Sequence, residues 1–290
     1  MSDNPAGLYL APSPLGNLGD LTPRVAAALK EADLVAAEDT RRALKLLSHL
    51  GLRRPLISYR EQNHRAAWPR IASVLAAGGR VALLTDAGAP GVSDPGAALT
   101  AAARAAGFAV IPLPGPSAVI TALMASGFSA DRFTFAGFIP FRAKERRGFL
   151  ARLKELPWTL VFFEAPHRLT ASLADLADIF GPRPALLARE MTKLHEEFLA
   201  GDLPALAADA AARPRKGEMT IVVAGAAAAG APAGDHPPFD PARLASLARS
   251  DPRPSPALAA ELARESGRPR AEIYKLLVAA RAADREDGSV

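Results

Sequence analysis

The sequence predicts two tandem α/β domains followed by a small helical module, and three observations lead to that fold class. In the first half, short apolar runs alternate with longer alanine-rich stretches of helical periodicity, the pattern of a parallel sheet assembled from β-α units. A second series begins near residue 133, and a chain of 290 residues with 49% hydrophobic content has room for both cores. Residues 225–238 are mostly Ala, Gly and Pro, with little to bury. The expected organisation is an N-terminal α/β domain over 1–118, a second over 119–226, a linker over 227–238 and a helical module over 239–290.

Taken in order, residues 7–12 form the first predicted strand. A helix over 21–32 follows, with Thr22 at its N-cap and Pro23 in its first turn. A short strand at 34–37 leads to a helix at 40–50 that Gly51 stops. Further strands are expected at 80–85 and 109–113, then a helix from Ser117 to about Ser126. The second series places strands at 133–138, 160–163, 185–188 and 220–224. Helices separate them at 143–156, 166–180 and 204–212. In the last module Leu258 and Leu262, then Ile273, Leu276 and Leu277, recur at helical spacing. They predict a helix over 256–265, a turn over 266–269 and a helix over 270–281.

Composition excludes several classes. Cysteine is absent, which removes disulfides and thiolate metal sites, and a cytoplasmic location is the expectation. Residues 105–130 carry no charge, long enough to span a bilayer, yet Gly107, Pro112, Pro114, Gly115 and Pro116 interrupt them. No membrane helix is expected, and the opening residues lack the pattern of a secretory signal. The five histidines show no metal-ligand spacing, so no metal is predicted.

Three Gly/Pro-rich loops carry the chemistry. Ser13-Pro14-Leu15-Gly16-Asn17-Leu18-Gly19-Asp20 follows the first strand, and Thr85 through Gly96 follows the 80–85 strand with Asp86 and Asp94 held in it. Leu113-Pro114-Gly115-Pro116-Ser117-Ala118 is the third. Each has a structural explanation as a turn or cap. All three nevertheless sit at carboxyl ends of predicted parallel strands, where open α/β sheets bind ligands, so they converge on one edge.

Those loops resemble the tetrapyrrole methylase superfamily, the class III methyltransferases, and within it the ribosomal RNA small subunit methyltransferase I branch. The resemblance continues through Ala37-Glu38-Asp39-Thr40-Arg41, Phe163-Glu164-Ala165-Pro166-His167-Arg168, Ala188-Arg189-Glu190-Met191-Thr192-Lys193, Glu196-Glu197-Phe198 and Lys216-Gly217-Glu218. These strings occur in family order over about residues 7–225. Ala89 and Ser13 stand where threonines are usual, both small-for-small changes. The resemblance implies that S-adenosylmethionine lies in a cleft between the two domains. It assigns Leu15, Asp86, Ala87, Gly88, Ala89, Ser117 and Ala118 from the first domain to that pocket, with Ala165, Met219 and Thr220 from the second. It also implies a cytidine ribose in the decoding region of 16S rRNA, on the small ribosomal subunit, as methyl acceptor, and a homodimer.

Charge supports an RNA partner. Residues 40–70 hold eight Lys or Arg against Glu61, and residues 132–154 hold seven against Glu145. Arg41, Arg42, Arg60, Arg142, Lys144, Arg146 and Arg147 are the expected RNA contacts, with a solvated helix face as the other reading. A ribose hydroxyl needs alignment and a proton acceptor. Asp39 and Glu190 are the expected catalytic residues, in a wider candidate set with Glu38, Glu164 and Lys193. Pairing of Glu38 or Glu190 with Arg41 or Arg189 would instead be an internal ion pair. A tetrapyrrole methylase and a non-catalytic RNA-binding relative are the two alternatives.

Overall fold

A computed structural model describes residues 5–226, 244, 246–248, 251, 253–266 and 270–287. The chain divides into two compact units, residues 1–229 and 230–290. The first holds both sheets.

The first sheet contains β1 (Gly7–Ala11), β2 (Leu34–Ala37), β3 (Leu56–Ser58), β4 (Arg80–Leu84) and β5 (Val110–Pro112), in the order β3-β2-β4-β1-β5. Every pairing is parallel. Parallel strands must be covered on both faces, and here alternate side chains feed two cores. Tyr9, Val35, Ala37, Ala82 and Leu84 face one core. Helices α1 (Pro23–Glu31) and α2 (Thr40–His49) cover it through Val25, Leu29, Ala43 and Leu47. Leu8, Leu34, Ala36, Val81 and Leu83 face the other. Helices α3 (His64–Ala76) and α4 (Ala97–Ala105) cover that side with Ile71, Leu75, Leu99 and Ala103. Thr22 caps α1 and Asp39 caps α2, each accepting a bond from a first-turn amide.

Helix α5 (Ala118–Ser126) leads into the second sheet, with Gly127 in the left-handed conformation after it. That sheet contains β6 (Phe133–Phe138), β7 (Thr159–Glu164), β8 (Pro184–Arg189), β9 (Glu197–Asp202) and β10 (Met219–Val223), in the order β6-β7-β10-β8-β9. Only β6 and β7 pair in parallel, while β10 runs antiparallel to β7 and β8, and β9 antiparallel to β8. Helices α6 (Ala143–Leu153), α7 (Leu169–Phe180) and α8 (Leu203–Ala212) line one face through Leu150, Leu173, Leu176 and Leu206. Val119, Ala122 and Leu123 of α5 pack on the other, against Val161, Leu186 and Val222.

The sequence reading omits β3, α3, α4 and β9. β3 is three residues long, and α3 carries Pro69 in its interior, a residue that ordinarily argues against helix. β9 is mostly exposed and rich in Glu, Gly and Asp, so its strand state comes from the β8 ladder, not from propensity.

In the second unit, α9 (Ser255–Ser266) and α10 (Arg270–Asp287) enclose a core of Leu244, Ala248, Leu258, Leu262, Ile273 and Leu277. Leu276, which recurs at helical spacing with Ile273 and Leu277, stays exposed at the edge of that core. Arg281 donates to the carbonyls of Ala248, Asp251 and Arg253. The expected linker over 227–238 and turn residues 267–269 lie outside the described residues.

Candidate active site

The loops leaving the carboxyl ends of the first sheet are tied to one another. Ser13 and Gly88 form a reciprocal pair of backbone bonds, each 2.9 Å. The Ser13 hydroxyl donates to the Thr85 carbonyl at 2.7 Å, and the Thr85 hydroxyl donates to Gly88 O at 3.2 Å. Gly88 has φ +72°, a conformation that glycine adopts without steric cost. Farther along the loop Ser93 holds φ +61°, a strained value for a residue with a side chain.

Between these loops and the carboxyl end of β7 lies a cavity of about 440 Å³. Leu15, Asp86, Ala87, Gly88, Ala89, Ser117 and Ala118 line it from the first domain, and Ala165, Met219 and Thr220 from the second. All ten residues assigned to the pocket by resemblance therefore stand on one wall or the other. Glu38, Val92, Ser93, Asp94, Phe138, Phe163, Met191 and Glu218 also line it, and were not in that set. Their signal was available in part: Asp94 shares its loop with Asp86, and Phe138 ends β6 opposite Phe163, the penultimate residue of β7.

A second cavity of about 790 Å³ opens beside the first. The two share Glu38, Asp86, Ser93 and Asp94, and the second is otherwise polar, lined by Asp39, Ser58, Arg60, Glu61, Gln62 and Asn63. A half-apolar chamber adjoining a polar one suits a two-substrate reaction, one reactant in each.

The carboxylates differ in what holds them. Asp39 bonds the Arg41 guanidinium at 2.7 and 3.1 Å and the Arg41 amide at 2.8 Å. Those bonds, the guanidinium first, hold it well below the usual carboxylate range. Glu190, at φ +48°, accepts from Lys193 Nζ and from the Glu218 amide, both at 2.8 Å. The lysine bond holds its carboxyl below the ordinary value, and Glu190 lines neither cavity. Both are thus ionised but weak proton acceptors. Glu164 is buried, paired with Arg168 at 2.7 Å and bonded by Ser172 and the Ala165 amide. Its oxygens are occupied by these bonds.

Glu38 and Asp94 differ. Burial, then the Asp86 charge, raises Glu38. Burial, then Glu38, Asp86 and Glu218, pushes Asp94 up to about 7.

The seven basic residues fall into two groups. Arg42 lines the first cavity with its Nε 3.6 Å from Asp86, and Arg60 lines the second while donating to the Glu38 carbonyl at 3.3 Å. Arg41 is exposed beside them. Arg142, at the N-cap of α6 and 3.2 Å from Glu145, and Lys144 on that helix are exposed. Arg146 is buried, 2.6 Å from Asp175 and 3.0 Å from the Phe141 carbonyl, while Arg147 bridges Asp175 and Asp178. Arg146 and Arg147 hold α6 to α7, so the phosphate role expected of them is not carried forward. Phe138 and Phe141, in the segment before Arg142, are exposed. Among the described residues, no helix is long and apolar enough to cross a membrane, and no group of three or more His, Asp and Glu is placed to hold a metal ion.

The family profile of Tetrapyrrole (Corrin/Porphyrin) Methylases matches residues 7–207. Ribosomal RNA small subunit methyltransferase I of Xylella fastidiosa (strain Temecula1) is 47% identical over 226 residues, covering 77% of this chain and 83% of that protein. The protein of the same description from Synechocystis sp. (strain PCC 6803) is 43% identical over 244 residues, 84% of this chain and 86% of its own. Among solved structures, uroporphyrin-III-C-methyltransferase from Thermus thermophilus superposes with a TM-score of 0.55 at 22% identity, covering 78% of this chain and 97% of that one. At that identity the likeness carries the fold, while the relatives above carry the branch. The chain belongs to the tetrapyrrole methylase family and, within it, to the ribosomal RNA small subunit methyltransferases I.

Proposed function

We propose that this protein transfers the methyl group of S-adenosylmethionine to the ribose 2′-oxygen of a cytidine in the decoding region of 16S rRNA, on the small ribosomal subunit. The observation that carries the reading is the pair of adjoining cavities at the sheet edge, in a chain whose relatives bear the small-subunit methyltransferase name. The cytidine and its 2′-oxygen rest on the sequence resemblance.

The residues present fit the methyl donor. A cavity of about 440 Å³ is within the range of small-molecule sites. Leu15, Val119, Phe163 and Met219 offer apolar walls for a purine, Ser117 and Thr220 offer hydroxyls, and Asp86 and Glu38 offer negative charge to an amino group or sulfonium. Ala87, Gly88, Ala89, Ala118 and Ala165 keep side chains short, so backbone amides and carbonyls come close to whatever is bound. When bound, S-adenosylmethionine supplies an electrophilic methyl carbon. The chain's own residues must then align a ribose hydroxyl and receive its proton.

RNA is held, in this reading, by exposed cations with aromatic neighbours. Arg42 and Arg60 line the cavities, Arg41 is exposed and paired with Asp39 of the second cavity, and Arg142 and Lys144 are exposed in the segment that follows Phe138 and Phe141, whose exposed rings offer faces for base stacking. Such a protein works where ribosomes are assembled, in the cytoplasm. A homodimer, carried forward from the resemblance, would sediment at twice the 30.3 kDa chain mass.

The test is label transfer from S-adenosylmethionine to unmethylated small subunits, naked 16S rRNA and a tetrapyrrole acceptor. Label on ribosomal RNA is expected, with subunits preferred over naked RNA. Label on the tetrapyrrole alone would make the chain a tetrapyrrole methylase, and tight cofactor binding with no transfer would make it an RNA-binding relative.

A further inference from the structure

The carboxylates around the two cavities are nearly all engaged. Asp39 is held by Arg41, Glu190 and Glu218 by Lys193, and Glu164 by Arg168. Asp86 accepts from the Asp39 amide at 3.1 Å and faces Arg42, while Glu38 accepts from the Asp86 amide at 3.4 Å. Asp94 is the exception. Among the described residues it has neither a hydrogen-bond donor nor a cation on its carboxylate, although it is half-buried and lies on the wall the cavities share.

The chain places it there at a cost. Ser93, immediately before it, holds the strained φ +61°, while Gly96, two residues after, takes a φ of +148° that glycine adopts without steric cost and donates its amide to Glu61 Oε1 at 2.9 Å. Strained backbone around an unengaged carboxylate at the boundary of two chambers is what a site needs and a fold does not.

We infer that the polar cavity receives the target nucleoside with its 2′-hydroxyl at the shared wall, and that Asp94 is the catalytic residue that takes the hydroxyl proton. The inference rests on the function proposed above. As the ribose oxygen forms its bond to the methyl carbon, the carbon–sulfur bond breaks with its electron pair going to sulfur. The proton passes to an Asp94 carboxylate oxygen and then to solvent. Ser58, Gln62, Asn63 and Ser93 are the neutral hydrogen-bonding side chains lining the polar cavity, and Arg60 is its cation. The titratable and charged groups that face Asp94 are Glu38 after β2, Asp86 in its own loop, and Glu218 before β10, with Arg42, Asp39, Arg60 and Glu61 on the same cavity walls. Three negative neighbours and burial keep Asp94 near the pH at which a general base is most effective.

The test uses the full chain with unmethylated small subunits, comparing wild type with Asp94→Asn and Glu38→Gln. Single-turnover methyl transfer in the wild type is expected to rise with pH through about 7. Asp94→Asn should lower the rate roughly 10²–10⁴-fold and abolish that limb. Binding of S-adenosylhomocysteine and of subunits should stay within about threefold of wild type. Glu38→Gln removes a negative neighbour and should move the limb to lower pH without abolishing it. Independently of turnover, the carboxyl carbon signal of labelled aspartate that disappears in Asp94→Asn should titrate near 7 in the ligand-free protein. Asp94→Asn turnover within about fivefold of an active wild type, or an unchanged limb, would overturn the inference and leave the function standing. A wild type that binds cofactor and methylates no ribosomal RNA would overturn both.

Discussion

A carboxylate sequence can look catalytic for reasons that its partners remove. Asp39 and Glu190 lie in branch-specific strings, yet one caps α2 under Arg41 and the other is clamped by Lys193 and the Glu218 amide. Asp94 lies in a loop that the sequence made conspicuous, but its isolation depends on where Glu38, Asp86 and Glu218 fall in space, which no spacing reveals. Its titration also bears on stability. The folded-state value of about 7 lies above the ordinary aspartate value of 3.8, so the folded state binds this proton more tightly than the unfolded chain does. Its favourable contribution is complete below about 4 and is lost as pH rises through about 7. Asp94→Asn, which does not titrate, should therefore gain melting temperature relative to wild type between pH 5 and pH 8, measured by calorimetry. A constant difference across that range would mean Asp94 is not shifted. Gly217 makes a complementary case: it has φ +97°, and a β-carbon there would collide with the Glu190 side chain. Gly217→Ala should cost about 1 kcal/mol or more in denaturant unfolding.

Helix α6 shows why charge counts mislead about elements. The segment 132–154 reads as a basic face, but Asp175 and Asp178 on α7, far away in sequence, consume Arg146 and Arg147. Arg146→Ala would leave Asp175 with only its half-exposed partner in a site that Arg146 fills at 9% side-chain exposure. The expected loss is roughly 3 kcal/mol of stability in urea titration. Arg142→Ala with Lys144→Ala should instead leave stability nearly unchanged. Subunit binding should weaken and its salt dependence become shallower by about two phosphate contacts. Equal effects of the two changes on stability would contradict this division. At the other end of the second domain, Asp202 accepts from the Ala205 amide at 2.7 Å and caps α8, so Asp202→Ala should cost about 1 kcal/mol.

For the whole molecule, period and punctuation carried the architecture. Alternating short apolar runs and helical stretches are the physical consequence of a parallel sheet covered on both faces, and the first domain follows that pattern from β1 to β5. The second sheet was less legible. β10 enters antiparallel between β7 and β8, and β9 returns directly from β8 without a covering helix, neither of which a β-α alternation implies. The pocket was legible through loops, since glycines and prolines mark where backbone must turn at strand ends. The adjoining polar cavity was not, because β3 and the residues after it contribute Ser58, Arg60 and Asn63 without any motif of their own.

The most direct test of the central claim is mass spectrometry of the nucleosides released from 16S rRNA after incubating unmethylated small subunits with the protein and S-adenosylmethionine. The account predicts one new 2′-O-methylcytidine, confined to the decoding region. A methyl group on a base, on another ribose, or on no nucleoside at all would contradict it.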